Sequence, residues 1–273
     1  MPLALAVMCA AGLFIAGGAA RGMQFFNGLV HRVAPNLNLP LPLPRELPRV
    51  ELATEGFASW AMLNRRTGAM AGSTNLDAPS DTMSLVKVWL AADFLRRNET
   101  PDQASLDRIT VMIRDSDNRA ADAFYARNGG PEGIARMVDV CGLTDSAPFE
   151  QPWWSNTIVS ARDVARLGAC VADGRAAGPI WTEWLLDVMR SVQGTGDFGP
   201  RSAFPVGTAA HIAIKNGWLL RTEDKLWHMS CLAVTDDWSI GVLLRYPSWL
   251  GFEHGTRLCQ SVAEQLMPAL VSR

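Results

Sequence analysis

The sequence predicts an α+β fold, with one antiparallel sheet built from both chain ends and a helical lobe inserted between them. Three observations carry this expectation. Strand-like segments occur near residues 57–73 and again between 209 and 244. The stretch from 84 to 190 repeats its apolar residues at helical spacing, and the chain closes on an amphipathic segment.

Phe57 to Leu63 reads as the first strand, and Asn64-Arg65-Arg66-Thr67-Gly68 turns it into a second short strand near Ala69 to Ser73. Val86/Leu90/Phe94, Ile109/Met112/Ile113 and Ile134/Met137/Val138 then recur at helical spacing, with one helix predicted from Ser84 to Arg97. Strands return at Ala209 to Ile214, Trp227 to Val234 and Ser239 to Leu244, the last two joined by the turn Thr235-Asp236-Asp237. Thr256 to Val271 is predicted as the closing helix, with Leu258, Val262, Leu266 and Leu270 on one stripe.

Ahead of this unit, Pro2 to Ala20 is an uncharged, Leu/Ala-rich run of 19 residues, followed by Arg21. Residues 1–22 therefore read as a signal peptide or an N-terminal membrane anchor, the run being long enough to span a bilayer and ending in small residues that suit cleavage. Cys9 is a poor lipidation site, because bulky Met8 precedes it. No Lys or Arg stands before the apolar run, whereas Arg21 and Arg32 follow it, which opposes export and is read as a misplaced start codon. Residues 23–49 form a linker whose five prolines between 35 and 48 favour an extended spacer. The folded unit is expected over residues 50–273, outside the cytoplasm.

Composition narrows the function. The chain has 273 residues, 48% hydrophobic, 19% charged, with a net charge of -2 and acids and bases interspersed. Nucleic-acid binding through phosphate contacts is not expected. His31, His211, His228 and His254 lack metal-ligand spacing to one another or to a Cys pair, so no metal and no cofactor is expected. The five cysteines are too sparse for a disulfide scaffold and read as buried thiols, although Cys231 in a strand and Cys259 in the closing helix can face each other. Of ten tryptophans, Trp60, Trp89, Trp181, Trp184, Trp227 and Trp238 fall in core patterns, whereas Trp153, Trp154 and Trp218 fall near the site described next.

Three short motifs carry chemistry. Ser84-Leu85-Val86-Lys87 puts a hydroxyl and an amine one helical turn apart within an apolar stretch, so the side chains can meet and a desolvated lysine can take the serine proton. Ser116-Asp117-Asn118 interrupts an apolar helix 32 residues later. Lys215-Asn216-Gly217-Trp218 is expected at the end of the strand His211 to Ile214, where glycine permits close backbone approach. Singly, each also fits a helix cap or a turn.

In this order and on these elements, the three motifs resemble the Ser-x-x-Lys, Ser-Asp-Asn and Lys-Thr-Gly motifs of the serine beta-lactamase and penicillin-binding protein superfamily. The segments Asn128 to Leu143 and Val159 to Leu167 look like class A beta-lactamases over the corresponding stretches. The resemblance implies a beta-lactamase/transpeptidase-like fold and an exported serine hydrolase acting on a beta-lactam, cell-wall peptide or ester. It implies Ser84 as the acylated nucleophile, Lys87 as proton acceptor, Ser116 as proton relay and Lys215 as the positive charge beside it. Asn118 would bond a substrate amide or Lys87, and Asn216, Gly217 and Trp218 would contact substrate. The backbone N–H groups of Ser84 and Trp218 would form the oxyanion hole.

The chain departs from that pattern in three places. Asn216 replaces a hydroxyl residue in the third motif. The interval from Ser84 to Ser116 is short, which predicts a more open cleft. Phe149 to Asn156 lacks the family's Glu-x-x-Leu-Asn, leaving Glu150 as the possible deacylation base and predicting slow deacylation. The competing expectation is a catalytically reduced cell-surface binding protein of the same fold.

Overall fold

Alternation between sheet faces shapes the sheet. β1 (Phe57–Asn64), β2 (Met70–Gly72), β5 (Ala213–Arg221), β6 (Leu226–Val234) and β7 (Trp238–Pro247) form one antiparallel sheet in the order β2-β1-β7-β6-β5. The two chain ends meet in its middle, where β1 pairs β7 with Trp60 opposite Val242. β3 (Ser80–Asp81) and β4 (Ile158–Val159) make a separate two-stranded ribbon. The computed structural model describes residues 49–149 and 153–270. The expected leader at 1–22, all but the last residue of the linker, and Glu150 lie outside the described residues.

Eight helices complete the described fold: α1 (Lys87–Arg97), α2 (Gln103–Arg114), α3 (Asn118–Arg127), α4 (Pro131–Cys141), α5 (Ala161–Ala172), α6 (Thr182–Arg190), the single turn α7 (Val206–Ala209) and α8 (Phe252–Leu270). Side-chain caps define several starts: Asp102, Asp117 and Ser160 accept from the backbone N–H of Ser105, Ala120 and Asp163. α5 packs against β7 and β1. That approach needs glycine at 241, where a Cβ would press on the Ala161 carbonyl and the Val164 side chain. α8 packs against β6 and β7, burying Val262, Ala263 and Leu266. α1 is the hub of the helical lobe; Val88, Trp89, Leu90, Ala91, Ala92 and Leu95 are buried, and the Trp89 indole donates to Gly133 O at 2.7 Å. Among the described residues no helix is long and apolar enough to cross a membrane.

Three expectations are revised. The strand predicted at Ala209 to Ile214 begins at Ala213 and continues to Arg221, because pairing with β6 carries the backbone straight through Lys215-Asn216-Gly217 despite their turn-like chemistry. The helix expected from Ser84 opens as a 3₁₀ turn, Met83–Val86. The four cysteines among the described residues are not free thiols: Cys141–Cys170 ties α4 to α5, and Cys231–Cys259 ties β6 to α8.

Candidate active site

The site forms where the N-terminus of α1, the α2–α3 junction and edge strand β5 converge. Met83 has φ 46° and Ser116 φ 60°, left-handed values that non-glycine residues rarely adopt. Each bends the chain abruptly beside a motif, Met83 just before Ser84 and Ser116 between α2 and α3. The turn at Met83 is anchored by neighbours: Thr82 N donates to Thr157 O at 3.0 Å, and Ser230 Oγ donates to Thr82 O at 2.5 Å.

Gly217 lets β5 come down onto this turn. A Cβ at position 217 would collide with the Ser84 backbone nitrogen, the Met83 Cβ and the Thr82 carbonyl. The period-2 alternation of β5 then sorts its side chains. Lys215 turns toward Ser116. Asn216 turns the other way and donates to Gly196 O at 3.1 Å and Phe198 O at 2.7 Å, while the neighbouring Trp218 ring packs edge-on against Phe198. The Asn216 amide thus holds the turn that walls the cleft, and its Oδ1 is buried without a partner. The cleft has a volume of about 490 Å³ and is lined by Ser84, Asp115, Ser116, Asn118, Gln193–Gly196 and Trp218.

Two buried amines meet at one hydroxyl. Lys215 Nζ lies 3.0 Å from Ser116 Oγ, and Lys87 Nζ lies 3.2 Å from the same atom. Lys87 also donates to Ser116 O at 2.6 Å and to Asn118 Oδ1 at 2.7 Å. Its amine thus turns toward the second motif; among the described residues Ser84 Oγ carries no hydrogen bond. A serine oxygen can accept from both amines and still donate its proton to a third group. Burial lowers the Lys87 pKa from 10.5 to about 8, against the opposing pull of Asp117 and Asp122. Burial, and then the charge of Lys87, push the Lys215 amine well below the usual lysine range.

Other residues at the site carry no local sequence signal. The Trp154 ring centroid lies 4.8 Å from Lys87 Nζ, and its indole N–H donates to Asp122 Oδ1 at 2.8 Å. Gln193 Nε2 donates to Asp115 Oδ1 at 2.8 Å, bridging two cleft walls. Behind Ser84, Asp81 forms an ion pair with Arg221 at 2.6 Å and lies 2.9 Å from His228 Nδ1. His228 Nε2 is 2.7 Å from Asp224, and Arg221 also donates to Asn156 at 2.9 Å. Trp153, by contrast, is exposed.

In this mixed sheet-and-helix fold, Ser84, Lys87, Ser116, Asn118 and Lys215 converge beside one cleft. Residues 101–225 match the family model described as the beta-lactamase enzyme family. The Mycobacterium tuberculosis protein named "Putative lipoprotein LppW" is 30% identical over 201 residues, 68% of this chain and 63% of that protein. The chain therefore spans less than two thirds of the length of this curated relative. A beta-lactamase from Chitinophaga pinensis superposes with a TM-score of 0.66 at 15% identity, covering 80% of this chain and 95% of that one. A mutant of PBP-A, solved as its acyl-enzyme complex with penicillin G, superposes with a TM-score of 0.61 at 17% identity, covering 78% and 90%. Residues 101–225 are thus similar to the beta-lactamase enzyme family, and the fold is that of beta-lactamases and PBP-A.

Proposed function

We propose that this protein is an extracytoplasmic serine hydrolase or acyltransferase that forms an acyl-enzyme on Ser84 with a beta-lactam, cell-wall peptide or ester, and releases it slowly. The observation that carries the reading is the convergence of two buried amines on the Ser116 hydroxyl beside Ser84. Once Lys87 has lost one proton, its lone pair accepts the proton of Ser84 as Oγ attacks the substrate carbonyl. Ser116 then hands a proton to the leaving nitrogen or oxygen, and the amine of Lys87 replaces it. Lys215 supplies positive charge to that hydroxyl and to a substrate carboxylate. The N–H groups of Ser84 and Trp218 hold the developing oxyanion, a donor typically worth ~2.7 to 4 kcal/mol.

Asn118 orients Lys87, Gly217 permits the approach of β5, and Asn216 acts on substrate through the turn it holds. Phe149 to Asn156 lacks the family's Glu-x-x-Leu-Asn, which supports slow deacylation; Glu150 is the proposed base for whatever turnover occurs. Two disulfides support an oxidising compartment, and the relative's printed name supports a cell-surface location. Residues 1–22 are proposed as the export signal or anchor, 23–49 as linker and 50–273 as the enzyme domain.

Mass spectrometry after incubation with a penicillin tests the reading. A stoichiometric adduct on the Ser84 peptide, absent in Ser84→Ala, is expected. Labelling of Ser84→Ala at the wild-type rate would sink it.

A further inference from the structure

Lys87 is completely buried, yet its surroundings are not equivalent on all sides. Ser116, Asp117, Asn118 and Asp122 face it from the α2–α3 junction and α3, and Lys215 from β5. The ring of Trp154, which is 7% exposed, lies over the amine with its centroid 4.8 Å from Nζ. This ring is held at both ends. The Trp154 carbonyl accepts from Thr157 Oγ1 at 2.8 Å and from Thr82 Oγ1 at 3.5 Å, and the indole N–H reaches Asp122 at 2.8 Å.

We infer that Trp154 is a positioning residue for Lys87. Anchored by Asp122, its ring keeps water off the amine, offers an electron-rich face to the charged form, and so sets how readily the lysine exchanges its proton. The inference rests on the reading of Lys87 as the proton acceptor. Two opposing effects give the ring a distinctive signature. Excluding water favours the neutral amine, whereas the π face favours the ammonium. A leucine keeps the site dry but removes the face; a phenylalanine keeps the face but removes the N–H; an alanine admits water.

The chain has three lysines, Lys87, Lys215 and Lys225, so ¹³Cε-labelled lysine gives a spectrum with few resonances, and that of Lys87 is identified by its loss in Lys87→Met. Titrating the full chain by NMR reads the amine without any catalytic step, and the pH profile of labelling by a fluorescent penicillin is measured in parallel. In Trp154→Leu the Lys87 midpoint is expected to fall by about half a unit or more. In Trp154→Phe it stays near wild type, and in Trp154→Ala it rises. The labelling profile shifts with each. Trp154→Met, which also keeps the site dry but removes the face, is expected to lower the midpoint as well and serves if Trp154→Leu does not fold. An unchanged midpoint in Trp154→Leu or Trp154→Met, or equal shifts in the Leu and Phe variants, overturns the inference. A wild-type protein that titrates as expected but is never labelled at Ser84 overturns the proposed function and leaves the Trp154 assignment standing.

Discussion

Gly217 and Lys87 show how single side chains hold this site together. An alanine at 217 must push β5 away from the Ser84 N–H, so Gly217→Ala is expected to slow acylation by about tenfold or more and to cost about 1–3 kcal/mol. Gly207→Ala, at a position where an added Cβ meets nothing within 4 Å, is the control. Adduct formation and urea midpoints check both, and equal behaviour of the two variants would contradict the packing argument. Lys87 makes a thermodynamic prediction. Its folded pKa of about 8 lies below 10.5, so between these values the unfolded chain holds a proton that the folded chain lacks. The stability of the wild type should therefore climb relative to Lys87→Met as pH rises from about 8 toward 10, measured by denaturation at fixed salt. Parallel curves would show that the amine is not perturbed. In activity the same group sets the sign: acylation should rise with pH through about 8 as the amine becomes neutral.

Elements meet at the site through buttresses as much as through packing. Asp81, on β3, joins the turn that carries Ser84 to β5 through Arg221 and to β6 through His228. Arg221 extends the chain of contacts to Asn156 in the loop that carries Trp154. Removing the shared carboxylate leaves a buried imidazole with Asp224 alone and a mostly buried guanidinium with Asn156 alone. Asp81→Ala is expected to cost about 3 kcal/mol and to slow labelling of Ser84, whereas Asp81→Asn, which keeps an acceptor, should cost less. Chemical denaturation and labelling rates measure the pair; a neutral Asp81→Ala would mean that the network only decorates the turn. The turn-like Lys215-Asn216-Gly217 becomes mid-strand for a related reason. Pairing with β6 overrides a local preference that has nothing tertiary to oppose it in the sequence.

Turnover belongs to the assembled fold. Phe149 to Asn156 lacks the Glu-x-x-Leu-Asn of class A beta-lactamases, so a penicillin is expected to give a burst of acylation followed by a slow steady rate. A fast steady rate without a burst would mean that water is activated efficiently, and Glu150→Gln should then convert turnover into accumulation of the acyl-enzyme. The cross-links fix the elements around this centre. Cys231–Cys259 holds α8 to the sheet next to Asn216's strand, and Cys141–Cys170 holds the helical lobe to α5.

The α+β class, the order of the elements and the positions of Ser84, Lys87, Ser116, Asn118 and Lys215 were legible in the residues alone. Periodicity records which face of an element is buried, and motif spacing survives in the linear chain. The disulfide partner of Cys141, the direction of the Asn216 amide, the turn of Lys87 toward Ser116, and the Trp154 ring above it were decided only by tertiary structure. Each depends on residues distant in sequence brought within a few ångströms. A hydrogen bond or ring contact of that kind leaves no pattern along the chain, because either partner alone is equally compatible with many neighbours.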